Sequence, residues 1–205
     1  MLSSFLLSAG VVAVAEIGDK TQLLSMMLAA RFRKPVPIAL GILAATLANH
    51  AAAALAGSLF ATMLQGPWMT GLLGISFLAI ALWALVPDKA DANCPATARS
   101  LGPFLATTVC FFFAEIGDKT QIATIALAAK YQAVLAVTGG TTLGMMAANI
   151  PAVLAGSALA ARLPFRVIRL VAAAIFFALG AAALLHLALG WPFAAEGLDL
   201  AARSG

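Results

Sequence analysis

A chain of 205 residues in which 63% are hydrophobic and 10% charged, with a mean hydropathy of +1.03, falls far short of the roughly 25% charged residues of a soluble domain. Its solvent is lipid. The short polar connections leave no room for an extramembrane domain, a nucleotide-binding loop or a nucleic-acid module, so the net charge of +4 is a signal of membrane orientation.

About 20 apolar residues cross a hydrocarbon core about 30 Å thick. Six runs of that order follow one another, at Leu2 to Ala30, Ile38 to Ala61, Trp68 to Val86, Leu101 to Ala129, Ala133 to Ala160 and Val167 to Gly190. Their Leu, Ala, Val, Ile and Phe content predicts helices rather than the alternating strands of an outer-membrane barrel. The first run contains Ala13-Val14-Ala15, which resembles a signal-peptidase site. The start carries no Lys or Arg, however, and the Ala-Glu-Ile-Gly-Asp that begins at Ala15 recurs at Ala114, so a retained helix is expected.

The second and fifth runs are rich in Gly, Thr and Asn, and Gly140 with Gly144 forms a small-xxx-small spacing suited to close helix packing. Asn49 and Asn149 read as interhelical hydrogen bonds or as residues that support a polar site from behind its ligands. His50 reads as a core residue, a proton relay or a metal contact. Trp68 and Trp191 fit aromatic-belt anchors at helix ends, and His186 an interfacial position. Cys94, in a loop, and Cys110, inside a helix, offer neither a disulfide framework nor a zinc constellation and are read as incidental.

Shifting the sequence against itself by 99 positions superposes Ala15–Gln22 on Ala114–Gln121 with eight identities in a row. Leu28-Ala29-Ala30 then falls on Leu127-Ala128-Ala129, Gly41 on Gly140, Leu55-Ala56-Gly57-Ser58 on Leu154-Ala155-Gly156-Ser157, and Phe77 on Phe176. The chain is therefore read as a duplicated three-helix unit, residues 1–99 and 100–205, within one transmembrane domain. An odd number of spans per unit inverts the second copy relative to the first. Loop charge agrees, because Arg31, Arg33, Lys34, Lys89, Arg99, Arg162, Arg166 and Arg169 collect on one side against Lys130 and Arg203 on the other. The richer side is expected to be cytoplasmic, with both chain ends outside and the substrate site between the halves. The expected fold is an all-α polytopic membrane protein, six transmembrane helices in two inverted three-helix repeats.

Asp19 precedes Arg31 by 12 residues, about 18 Å along a continuous helix, which places the repeated motif near mid-membrane. Charged groups there cost about 2.5 to 3.5 kcal/mol each. Glu16, Asp19, Lys20, Glu115, Asp118 and Lys119 must therefore face the interior, paired, protonated or bound to an ion. On a continuous helix, Glu16 with Asp19 and Glu16 with Lys20 share one face. Gly18 and Gly117 leave space for backbone approach or a local break, while Thr21, Gln22, Thr120 and Gln121 add neutral oxygens. Four carboxylates, Glu16, Asp19, Glu115 and Asp118, with these oxygens make a hard-ligand set for Mn²⁺, Ca²⁺ or Mg²⁺. The competing reading is purely structural, with Glu16 pairing Lys20 and Glu115 pairing Lys119. It leaves both aspartates without partners, and buried pairs stabilise poorly.

The doubled Glu-x-Gly-Asp-Lys-Thr, at Glu16 to Thr21 and Glu115 to Thr120, resembles the signature of the Gdt/MneA-type cation exchanger family, over the whole chain and without departure in either half. The resemblance implies secondary active export of Mn²⁺, or of Ca²⁺, against protons, with Glu16, Asp19, Glu115 and Asp118 as metal ligands. It implies no cofactor, the metal being substrate. A passive cation channel, or an exporter of small organic cations or amino acids, would use the same carboxylates; the first is usually assembled from several identical chains and the second lacks an aromatic cage here. An enzyme is not expected, since no nucleophile and base lie at helix-compatible spacing.

Overall fold

The structure is a computed structural model that describes residues 1–63, 68–86, 94–95, 98, 100–155 and 165–189. Eight helices and no strands occur among the described residues. They are α1 (Leu2–Glu16), α2 (Lys20–Phe32), α3 (Pro35–Met63), α4 (Trp68–Leu85), α5 (Pro103–Glu115), α6 (Lys119–Tyr131), α7 (Val134–Ala155) and α8 (Phe165–Leu189). The six apolar runs thus yield eight helices, because the first and fourth runs each break at the repeated motif. Among the described residues two helices, Pro35–Thr62 and Arg166–Leu189, are each long and apolar enough to cross a membrane. The bent pair α1 and α2, 71° apart, makes a third span if taken together.

Each break is a β-turn. Ile17 (φ −64°, ψ 117°) and Gly18 (φ 83°) have the type II dihedrals, closed by the Asp19 N–H donating to Glu16 O at 3.0 Å. Ile116 (φ −63°, ψ 121°), Gly117 (φ 75°) and the Asp118 N–H donating to Glu115 O at 3.2 Å repeat it. The third turn residue needs a left-handed backbone that glycine adopts without strain, which is what ends a helix inside an otherwise unbroken apolar run. Of the two roles expected for Gly18 and Gly117, backbone approach or a local break, the break occurs, and it corrects the reading of Leu2 to Ala30 and Leu101 to Ala129 as single helical runs. The 18 Å ruler holds only along α2, and Glu16 and Lys20 do not share a helix face. Both second halves also stop alike, with Arg33 (φ 52°) and Gln132 (φ 48°) left-handed at the ends of α2 and α6.

Packing pairs the helices by exchange of the halves. α1 packs on α7 and α5 on α3; α2 packs on α7 and α6 on α3; α3 packs on α7, and α4 on α8. Gly140 and Gly144 bring α7 against α1 as expected, since a Cβ at either would collide with the carbonyl of Phe5 or Ala9. Phe77 and Phe176, repeat mates, meet edge to face at 5.8 Å between α4 and α8. One departure from the exchange is that α4 packs on α6, where Lys130 Nζ donates to Thr70 Oγ1 at 2.8 Å, without comparable packing of α8 on α2.

Cys94 and Cys110 are joined as a disulfide, correcting the reading of both as incidental. The bridge ties Cys94 to α5, which a 16-residue separation does not reveal. The side chain of Trp68, and Lys89, Arg99, Arg162, Trp191 and Arg203, lie outside the described residues. His186 is in the last turn of α8.

Candidate metal centre

The two turns carry the motif side chains into the interior between the halves. Glu16, Asp19, Glu115, Asp118, Lys119, Thr21 and Thr120 are all buried. Carboxylate oxygens of Glu16, Asp19 and Asp118 lie within 4.8 Å of one another, drawn from both motifs, whereas Glu115 does not join this cluster. Asp19 and Asp118 are the N-caps of α2 and α6, yet neither caps its helix with a side-chain bond. Their carboxylates are engaged across the centre instead.

That engagement is crosswise. Lys119 Nζ donates to Asp19 Oδ1, and Lys20 Nζ lies 2.7 Å from Asp118 Oδ1 in an ion pair whose angle falls outside hydrogen-bond geometry. The ion pairs therefore join one half to the other, and the structural reading that paired Glu16 with Lys20 and Glu115 with Lys119 gives way to them. Each glutamate is held by a threonine of its own half: Thr21 Oγ1 donates to Glu16 Oε2, and Thr120 Oγ1 to Glu115 Oε2 at 2.8 Å. Gln22 and Gln121 brace the turns, accepting from the Gly18 N–H at 2.9 Å and the Gly117 N–H at 2.8 Å.

Several oxygens remain unused. Glu16 Oε1, Glu115 Oε1 and Asp118 Oδ2 are buried without a hydrogen-bond partner. Buried carboxylate oxygens are normally satisfied. Three such atoms beside a three-carboxylate cluster are acceptor capacity of the kind a hard cation consumes.

The outlying polar residues divide. Asn49 Nδ2 donates to Phe112 O at 3.0 Å, tying α3 to α5. Asn149 accepts from Ser25 Oγ at 2.7 Å and donates to Met145 O at 3.1 Å. The Asn49–Phe112 and Ser25–Asn149 bonds are interhelical links, and the bond to Met145 lies within α7. His50, repeat mate of Asn149, is fully buried with no partner at either ring nitrogen. Sequence reasoning missed Ser25 and the Gln22 Nε2 bond to Ala148 O at 3.1 Å, which fasten α2 to α7. The only available signal was that polar residues at positions 22 and 25 of an apolar run need partners.

Two broken helices meeting at a buried carboxylate cluster are the architecture of an ion transporter's site. The sequence profile of the divalent cation/proton antiporter GDT1 family matches residues 4–92 and 103–190, both halves of the chain. The chain belongs to this family. As a GDT1 family member it is a membrane transporter and not an enzyme. It is similar to a protein of Vibrio cholerae provisionally named a manganese exporter, 50% identical over 177 residues, which are 86% of this chain and 88% of that protein. A GDT1-like protein of Synechocystis sp. is 29% identical over 197 residues, 86% of this chain and 94% of its own. GDT1-like protein 5 of Arabidopsis thaliana is 26% identical over 224 residues, covering 90% and 96%. No solved structure matches the chain.

Proposed function

We propose that this antiporter exports Mn²⁺ in exchange for protons across a bacterial cell membrane, using one site shared by the two motif turns. The observation that carries the reading is the convergence of Glu16, Asp19 and Asp118 within 4.8 Å, with buried acceptor oxygens to spare. Glu115 completes the ligand set, and Thr21, Gln22, Thr120 and Gln121 hold it in place. An all-oxygen set takes Mn²⁺ or Ca²⁺; the name borne by the Vibrio relative favours Mn²⁺.

In this reading each broken pair, α1 with α2 and α5 with α6, is one span, giving six spans in two inverted repeats, 1–99 and 100–205. The exchange-related packing supports it. The face bearing Arg31, Arg33, Lys34, Arg166 and Arg169 is cytoplasmic, with the start of α1 and the end of α8 on the opposite face. Carbonyl ends of α1 and α5 abut the site together with the N–H ends of α2 and α6, so the helix dipoles offset one another and the carboxylates carry the preference for a cation.

Coupling follows from charge. Four carboxylates and two ammonium groups sum to minus two, which one divalent ion or two protons neutralise. Either loaded state crosses the low-dielectric barrier uncharged, while the bare site does not. With both ammonium groups protonated and kept within the site, on or off the aspartates, two protons return per ion exported.

The test is flux in reconstituted vesicles. Mn²⁺ uptake should saturate and should rise when the pH gradient is imposed in the driving direction. Flux that ignores the gradient would eliminate proton exchange, and flux that never saturates would indicate a channel.

A further inference from the structure

We propose that Lys20 and Lys119 are internal substitutes for the metal: each ammonium occupies an aspartate oxygen of the opposite half, and the incoming ion must displace it. The inference rests on the transport reading above and adds what sets affinity and release. Its ground is the crossed geometry, since Lys119 bonds Asp19 while Lys20 is ion-paired with Asp118 at 2.7 Å, and both aspartates supply oxygens to the three-carboxylate cluster. An ion ligated by those oxygens and an ammonium within hydrogen-bond distance of them compete for the same lone pairs.

Displacement explains why two lysines sit in a site for cations at all. A site of four bare carboxylates would hold a divalent ion too tightly to release it on each cycle, and would strand four charges in low dielectric when empty. Lysine suits the task better than arginine, because its ammonium is a compact charge on a flexible stem that can swing off a carboxylate, whereas a guanidinium clamps one bidentately. The crossing also couples the halves. When the ion leaves, each lysine re-engages the other half, so both aspartates change partners together.

The experiment measures Mn²⁺ binding to purified protein in detergent, read by loss of the free-ion EPR signal, for wild type, K20Q, K119Q, K20R and K119R. Each Gln variant removes a competitor and should bind Mn²⁺ at least about tenfold more tightly, while turnover in vesicles at saturating Mn²⁺ falls because release slows. The Arg variants should bind more weakly than wild type. A merely structural role would lower thermal stability without tightening binding. Folded Gln variants that bind no tighter than wild type overturn the proposal. Should the Gln variants not fold, wild type carries the test: acetylation of Lys20, whose side chain is 23% exposed, should speed up several-fold when Mn²⁺ binds, and an unchanged or slower rate overturns displacement. Wild type that binds no divalent ion overturns the transport reading and displacement together; wild type that binds, with indifferent lysine variants, overturns displacement alone.

Discussion

Glu16 and Glu115 hold equivalent places in identical motifs, yet only Glu16 joins the aspartates in the three-carboxylate cluster. The two are therefore expected to differ. Among E16Q, D19N, E115Q and D118N, all four should abolish Mn²⁺ transport in vesicles, because each removes charge from the neutralisation count. In equilibrium binding, E115Q should weaken Mn²⁺ least. Equal losses of binding for E16Q and E115Q would refute the asymmetry. His50 offers a second contrast, since a buried polar group without a partner costs about 1 to 3 kcal/mol. H50L should raise the melting temperature; if transport is lost in that stabilised variant, the imidazole belongs to the proton or metal route, and if transport survives it is a packing residue. The residue types of the site could be read from the motif. The pairing of those residues could not, because Lys20 and Lys119 find their partners some hundred positions away in the chain, beyond any spacing rule.

At the scale of elements, the break inside each motif decides what the carboxylates can do. A type II turn with glycine at its third position turns the chain so that Glu ends one helix and Asp begins the next. G18A or G117A puts a Cβ on a left-handed backbone, at a cost of about 1 to 3 kcal/mol. Each should lower thermal stability and abolish transport by straightening or distorting the turn. G10A is the control: it lies inside α1 with open space around it and should be neutral or slightly stabilising. A G18A protein with wild-type stability would mean that the left-handed turn is not required. Composition alone favours reading the first run as one helix, since Ile17 and Gly18 are both compatible with an apolar span; the choice of a turn depends on partners for the freed backbone groups, which Gln22 and Gln121 supply.

For the molecule as a whole, the proposed exchange of one divalent ion for two protons would make metal affinity a function of pH. Protons and metal compete for the same carboxylates, so binding releases protons and affinity falls as pH falls. With two protons released per ion, the apparent Kd should rise by about 100-fold per unit of pH lowered, over the range in which the metal-free site holds both protons. A dye in weakly buffered detergent solution counts those protons directly; release near zero would point to another counter-ion. Substitutions at Lys34 or Arg166, on the positively charged side, should change membrane orientation or expression and leave binding by correctly inserted protein intact.

The chain's order determined a good deal by itself. Lipid as solvent, an all-helical fold, duplication at a 99-residue shift and the doubled acidic motif all follow from composition and self-similarity. These are properties of local pattern and of identity between segments, which need no knowledge of contacts. The tertiary structure decided the rest: the turn that splits each motif, the crosswise ion pairs, the three-against-one division of the carboxylates and the Cys94–Cys110 bridge. Each depends on which surfaces meet when α1 packs on α7 and α5 on α3. Two identical motifs become chemically different only there, because the packing differs between the halves, α4 lying against α6 without comparable packing of α8 on α2.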